Sequence, residues 1–145
     1  MRIFRIMLIH EDTPLENREP RGLVEEALTG KVIGAFYAVY NELRFGFLES
    51  VYAGALEMEF AERGLPHIRE YPLAVAYHER VVGTYRADFL IAGKMIVEVK
   101  ASLALSDADR SQLRHYLKAT RVEVGLLLHF GPKARFYRMQ HSVGS

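Results

Sequence analysis

Arg86-Ala87-Asp88-Phe89-Leu90-Ile91-Ala92-Gly93-Lys94-Met95-Ile96-Val97-Glu98-Val99-Lys100 is the stretch on which the fold turns. Two apolar runs flank a glycine turn. An acid sits in the first run, and an acid and a lysine sit in the second. Strand side chains alternate between faces, so Val97 and Val99 point one way and Glu98 and Lys100 the other. Charges this deep in an apolar hairpin are costly unless they are paired or bound to a metal. Residues directly opposite in an antiparallel pair share a face, so Asp88 joins Glu98 only if paired residue numbers sum to an even number. A three-residue loop, Ala92-Gly93-Lys94, with Gly93 supplying a left-handed residue, sets Asp88 opposite Glu98. A two-residue loop would send them to opposite faces. Phe89, Ile91, Val97 and Val99 then form the core-packed face.

The neighbouring segments build a sheet around this hairpin. Leu73, Val75 and Tyr77 alternate with Ala74 and Ala76, and His78-Glu79-Arg80 reads as a turn, which gives an antiparallel meander of three strands. Ser106-Asp107-Ala108-Asp109 reads as a helix start, with Ser106 as N-cap and acids in the first turn, and the helix runs to about Thr120. Residues 122–130 are almost continuously apolar, as expected of a strand buried on both faces. Strand, helix, strand implies a crossover and a parallel pair. Residues 134–139 read as a last, edge strand. Upstream, residues 23–43 are helical in pattern, with a slip of phase near Gly30. A second helix runs from about Leu48 to Arg63, with Leu48, Val51, Tyr52, Ala55, Leu56 and Phe60 as its apolar stripe and Gly64 at its end. Residues 10–21 are polar and carry Pro14 and Pro20. Residues 1–22 are therefore read as an N-terminal arm or linker and 23–145 as a single domain. The fold class is α/β, a mixed β-sheet flanked by helices.

A chain of 145 residues can bury roughly 70% of its extended-state surface, so it folds without disulfides or a structural metal. It has no cysteine, which excludes disulfides, zinc-thiolate sites and cysteine catalysis and fits a reducing cytoplasm. The net charge of +1 advertises no nucleic-acid binder, so any basic surface is local. Arg5 interrupts the short apolar run at the start and no small-residue cleavage site follows, so a signal peptide is not expected. No apolar run approaches the ~20 residues that span a bilayer, and no membrane partner is expected. The six histidines lack metal-ligand spacing, and no Gly-rich phosphate loop or Ser/His/Asp pattern is present.

Metal-dependent phosphodiester hydrolysis would justify the charges in the hairpin. Magnesium takes oxygen ligands and keeps several waters, so two carboxylates and a backbone carbonyl suffice. Asp88 and Glu98 could supply the carboxylates and Val99 the carbonyl, while Lys100 could position a water and offset transition-state charge. The competing reading is an Asp88–Lys100 or Glu98–Lys100 ion pair on a solvent-facing sheet. Gln112 and Tyr116 favour the first reading, because they lie four residues apart on the inward half of the crossover helix. Arg110, Arg114, Lys118 and Arg121 form a separate stripe that the helical wheel assigns to solvent. Arg86 should share a face with Asp88, where it either holds a phosphate or neutralises the acid. His129, ending an apolar strand, reads as a structural cap. Glu49, in the first turn of its helix, suits the helix dipole on its own account.

Gly46-Phe47-Leu48-Glu49-Ser50-Val51-Tyr52 resembles the signature of the GxxExxY proteins of the PD-(D/E)xK nuclease superfamily. Tyr-Arg-Ala-Asp-Phe, Val-Glu-Val-Lys and Gln-Leu-x-x-Tyr-Leu-Lys follow in the family's order. The resemblance implies a restriction-endonuclease-like core, metal roles at Asp88 and Glu98, a catalytic lysine at Lys100 and an assisting acid at Glu49. It also matches Gln112 and Tyr116 to a Q-x-x-x-Y element. Tyr52, Tyr116 and Arg86 are weaker candidates for substrate contact. Ala87 replaces the proline of the family name, Arg44-Phe45 stands where relatives tend to have Gly-Pro, and His129 stands where an asparagine is common. The expectation is a Mg2+- or Mn2+-dependent nuclease acting on nucleic acid, with DNA favoured. The alternative is a non-catalytic nucleic-acid-binding or adaptor module on the same fold.

Overall fold

The computed structural model describes residues 25–141 and, as backbone, residues 6–10. In chain order the elements are β1 Ile6–His10, α1 Glu26–Leu43, α2 Glu49–Glu62, β2 His67–Tyr77, β3 Arg80–Ile91, β4 Met95–Lys100, α3 Asp107–Thr120, β5 Val124–Phe130 and β6 Ala134–His141. The strands make one sheet of order β1-β6-β5-β4-β3-β2. β4 and β5 are parallel, from Met95 opposite Val124 to Lys100 opposite His129, and every other pair is antiparallel. All seven residues of β5 are buried, which is why its sequence is a continuous apolar run rather than an alternating one.

α1 and α2 cover one face of the sheet. Their Val32, Phe36, Tyr40, Tyr52, Leu56 and Phe60 pack with Phe89, Ile91, Val97, Val99, Leu126 and Phe130. The hairpin's expected core face is thus the one observed. Phe130 is the hub: its ring stacks on Tyr52 at 4.1 Å and meets the edge of Phe36 at 4.9 Å. α3 covers the other face, where Leu113, Tyr116 and Leu117 pack with Leu90, Ile96, Leu127 and Met139. Its start is the expected one. Ser106 Oγ accepts from the Asp109 N–H, and Asp109 accepts from the Ser106 N–H, closing a capping box.

Four sequence expectations change. β6 is not at the edge, because β1 pairs with it from Ile6 opposite His141 to His10 opposite Tyr137; the remainder of the segment read as an arm, save for these residues, lies outside the described part of the chain. β2 begins at His67, six residues before its first clear alternation. α1 runs unbroken through Gly30, since packing of its apolar face outweighs the roughly 1 kcal/mol that an internal glycine costs. In α2 the buried positions are Tyr52, Ala53, Leu56 and Phe60, while Leu48 and Val51 are exposed. No described helix is long and apolar enough to cross a membrane.

Candidate functional site

The β3–β4 turn has the three-residue loop that the site requires. Ile91 pairs with Met95, Leu90 with Ile96 and Phe89 with Val97, so each pair sums to an even number and the next pair in register is Asp88 with Glu98. Ala92 and Gly93 take φ of 53° and 68°, and the Lys94 N–H closes the turn on the Ile91 carbonyl at 2.9 Å. The backbone ladder ends at Phe89 and Val97. Beyond it the two acids substitute for the ladder: the Asp88 N–H donates to Glu98 Oε1 at 3.1 Å, and the Val99 N–H donates to Asp88 Oδ2 at 2.7 Å. The strands part at this point. The N–H and C=O of one strand residue point to the same side, so the Val99 carbonyl also faces the Asp88 side.

Glu98 is only 3% exposed. Burial, and after it the charge of Asp88, push its carboxyl up to about 8. Asp88 is also raised by burial, against the Val99 N–H, the Glu98 hydrogen bond and the cations Lys100 and Arg69. Two acids in contact cannot both ionise freely, so the pair shares a proton that rests on the Glu98 side and is donated to Asp88.

Lys100 enters from the next position on that face. Its Nζ donates to Gln112 Oε1 at 2.8 Å, and Gln112 Nε2 donates to the Tyr116 hydroxyl at 3.1 Å. Asp109, already engaged in the capping box, lies 3.9 Å from Nζ. The first turns of α3 thus fix the ammonium beside the two acids. The Tyr116 phenol is raised by burial and then by the charge of Glu98.

Glu49 arrives from the other face of the sheet, as the first residue of α2. Its carboxylate accepts from the Ala101 N–H just past β4; burial raises its pKa, with Lys100 opposing and Asp88 adding to the rise. The loop before it is held by Tyr52, whose hydroxyl donates to the Arg44 carbonyl and accepts from the Phe47 N–H at 3.2 Å. Tyr52 is 0% exposed and stacked on Phe130, so it cannot meet a substrate; it sets the entry to α2 instead. Arg44 adopts φ 60° and ψ −171°, a conformation open essentially to glycine, at the position where the resemblance led one to expect glycine. On the far side of Lys100, the buried His129 donates from Nε2 to the Ser102 carbonyl at 2.9 Å, and burial lowers its pKa. It ties down the turn after Lys100, a cap as expected. A Cβ at Gly131 would stand 2.5 Å from the His129 ring, so a larger residue there would have to displace the ring.

Arg86 is not beside Asp88. Its guanidinium is exposed and lies 4.0 Å from Glu70. Ala87 and Leu90 share the α3 cluster, whereas Phe89 and Ile91 belong to the α2 cluster. Strict alternation forbids that, so the faces exchange at Asp88, across from Glu70 with φ 54°. Arg86 lies beyond the exchange and turns away. Arg69, which sequence reasoning passed over, is the cation from β2 that acts on Asp88, and it also pairs with Glu57 of α2 at 3.3 Å. The basic stripe of α3 also divides. Arg110 pairs with Asp107 at 3.3 Å and lies over the Tyr137 ring, whereas Lys118 and Arg121 flank a groove between α3 and β2–β3.

Among the described residues no three acidic or histidine side chains cluster as a ready-made metal site. The donors that do converge are two carboxylates and a carbonyl, all oxygen, with the Glu98 carboxyl raised by burial and by the charge of Asp88. That set fits a hard divalent ion that keeps its waters and does not fit a soft metal. No curated protein matches the chain. Among solved structures, the crystal structure of SSO0001 matches with a TM-score of 0.53 and 21% identity, over 83% of this chain. The chain spans 61% of that structure's length, and the likeness shows the fold. The mixed sheet between helices is that of the restriction-endonuclease-like α/β fold, and the model of the PD-(D/E)XK nuclease superfamily matches residues 26–140. With most of its length covered by that match, the chain belongs to the PD-(D/E)XK nuclease superfamily.

Proposed function

We propose that the chain is a Mg2+- or Mn2+-dependent nuclease that hydrolyses phosphodiester bonds, with DNA the favoured substrate. One observation carries the reading: buried Glu98 meets Asp88 where β3 and β4 part, and Lys100 is held beside them by Gln112 at 2.8 Å. Surface ion pairs would not place a carboxyl at 3% exposure against a second acid.

Asp88, Glu98 and the Val99 carbonyl would hold the cation. When bound, it supplies Lewis-acid polarisation of the phosphate and lowers the pKa of a coordinated water. The chain's own groups do the rest. Gln112 takes one of the three donors of Lys100 Nζ, leaving others to orient a water and to offset negative charge that develops on the phosphate. Glu49, fixed through the Ala101 N–H, stands at the mouth as the assisting acid that receives a proton from that water. A bond forms from the water oxygen to phosphorus, the bond to the leaving oxygen breaks, and the departing oxygen ends protonated. Tyr116 keeps Gln112 in its rotamer. A cysteine-free chain suits a reducing compartment, and we place the reaction in the cytoplasm.

Incubation with single- and double-stranded DNA and RNA, with and without Mg2+ or Mn2+, tests the reading. Metal-dependent cutting is expected, reduced about 10²-fold or more in Lys100→Ala with an unchanged melting temperature. Absence of metal-dependent cutting, or a Lys100→Ala variant that cuts as wild type does, overturns it.

A further inference from the structure

β3 pairs with β4 only from Phe89 to Ile91, so the rest of the β2–β3 hairpin projects past the site. It leans over α3 and leaves a groove of about 850 Å³ between them. One wall is Ala74, Ala76 and Tyr85; the other is Ser111, Gln112, His115 and Tyr116, with Lys118 and Arg121 at the far end. Gln112, which holds Lys100, is in both the groove and the candidate site. The groove therefore adjoins the candidate site through Gln112.

We propose that this groove seats one strand of nucleic acid, with its bases against Tyr85 and its phosphates toward Lys118 and Arg121. The proposal rests on the nuclease reading and names its substrate class as single-stranded. Three properties select that occupant. Tyr85 is 52% exposed although it is aromatic and its ring centroid lies 5.9 Å from that of Tyr116, so it offers a face to a base. Alanines on both walls (Ala74, Ala76, Ala108, Ala119) keep the channel open for flat rings. Both cations come from the C-terminal end of α3, at the far end of the groove, where a single backbone leaving the site would meet them, and aromatic platforms beside a positive groove are the general means of binding unpaired bases. A duplex keeps its bases stacked inside and cannot offer their faces to the Tyr85 ring.

The test is binding of labelled oligo-dT and oligo-U of about a dozen nucleotides, against a duplex of equal length, with Ca2+ in place of Mg2+. The full chain is compared with Tyr85→Ala and with Lys118→Glu/Arg121→Glu, all solvent-facing changes whose folding is checked by melting. The single strands are expected to bind at least tenfold more tightly than the duplex. Tyr85→Ala should weaken that binding about tenfold. The double charge reversal should flatten the slope of log affinity against log salt by at least about one. The dT and U arms report whether the strand is DNA or RNA. Equal or tighter duplex binding, or variants that bind as wild type does, overturns the groove. Selective strand binding without any cutting leaves the groove standing and removes the nuclease. Cutting that is indifferent to Tyr85→Ala and to the charge reversal does the opposite.

Discussion

The two faces of the β3–β4 hairpin are built to opposite rules. Against α1 and α2, Phe89, Ile91, Val97 and Val99 join an aromatic core in which every ring is packed by another. Against α3, the same four-residue span of β4 carries Glu98 and Lys100, and the apolar cluster there is smaller. One face can hold costly charge because the other supplies the packing. An acid pair at this depth opposes folding in the absence of a cation; the rings behind it offset that cost.

The sharpest way to break this division is Phe130→Ala. It removes the ring that contacts Phe36, Tyr40 and Tyr52 and should cost about 3–5 kcal/mol in urea unfolding, while the Asp88 and Glu98 donors remain in place. Comparable loss of Mn2+ affinity in variant protein that is still folded would show that the faces are not separable.

Glu98→Gln is the complementary change. The Glu98 carboxyl titrates near 8 in the folded chain against an ordinary 4.5, so the folded state holds more protons between those values. Its stabilising contribution is complete below pH 4.5 and is lost as pH rises through 8. Metal-free wild type should therefore lose about 3 kcal/mol from pH 5 to pH 8. Glu98→Gln should lose most of that fall and be the more stable protein at pH 8. Urea midpoints at both pH values decide it. A wild-type curve that rises with pH would contradict the assignment.

The same protonation gives a calorimetric prediction. Cation binding at pH 7 should release about one proton, because the ligands must be deprotonated. Titrations in two buffers of different ionisation enthalpy measure it, and a buffer-independent heat would refute it.

The smallest expected effect lies at the junction between the faces. Arg44→Gly relieves a glycine-only conformation and should stabilise the chain by about 1 kcal/mol, read as a raised melting temperature. A lower one would mean that the arginine side chain, not Tyr52, holds the loop.

The sequence made the hairpin legible because loop parity and side-chain alternation are short-range and obey counting rules. The Ser106 cap and the doubly buried β5 were legible for the same reason. Arg86 was misplaced because the faces exchange at Asp88 through a positive φ at Glu70, which no glycine announces. Arg69 was missed because its link to Asp88 is made across strands, from β2 to β3. β6 was taken for an edge because its partner lies more than a hundred residues away, where no local pattern speaks. Tyr52 falls both in the apolar stripe of its helix and among the weaker candidates for substrate contact, and its ring, stacked on Phe130, keeps only the first place.

The early parting of β3 from β4 has a consequence for solubility. From Arg80 to Ala87, no described strand pairs with β3 on the side that β4 leaves, and Val81 and Val82 at its tip are exposed. An unpaired strand edge of that kind invites a second chain to add itself to the sheet. α3 meets this edge through Tyr116, whose ring lies 5.9 Å from that of Tyr85, and beyond that contact Val81 and Val82 stand open to solvent. Replacing Val81 and Val82 by lysine should then lower turbidity at high concentration.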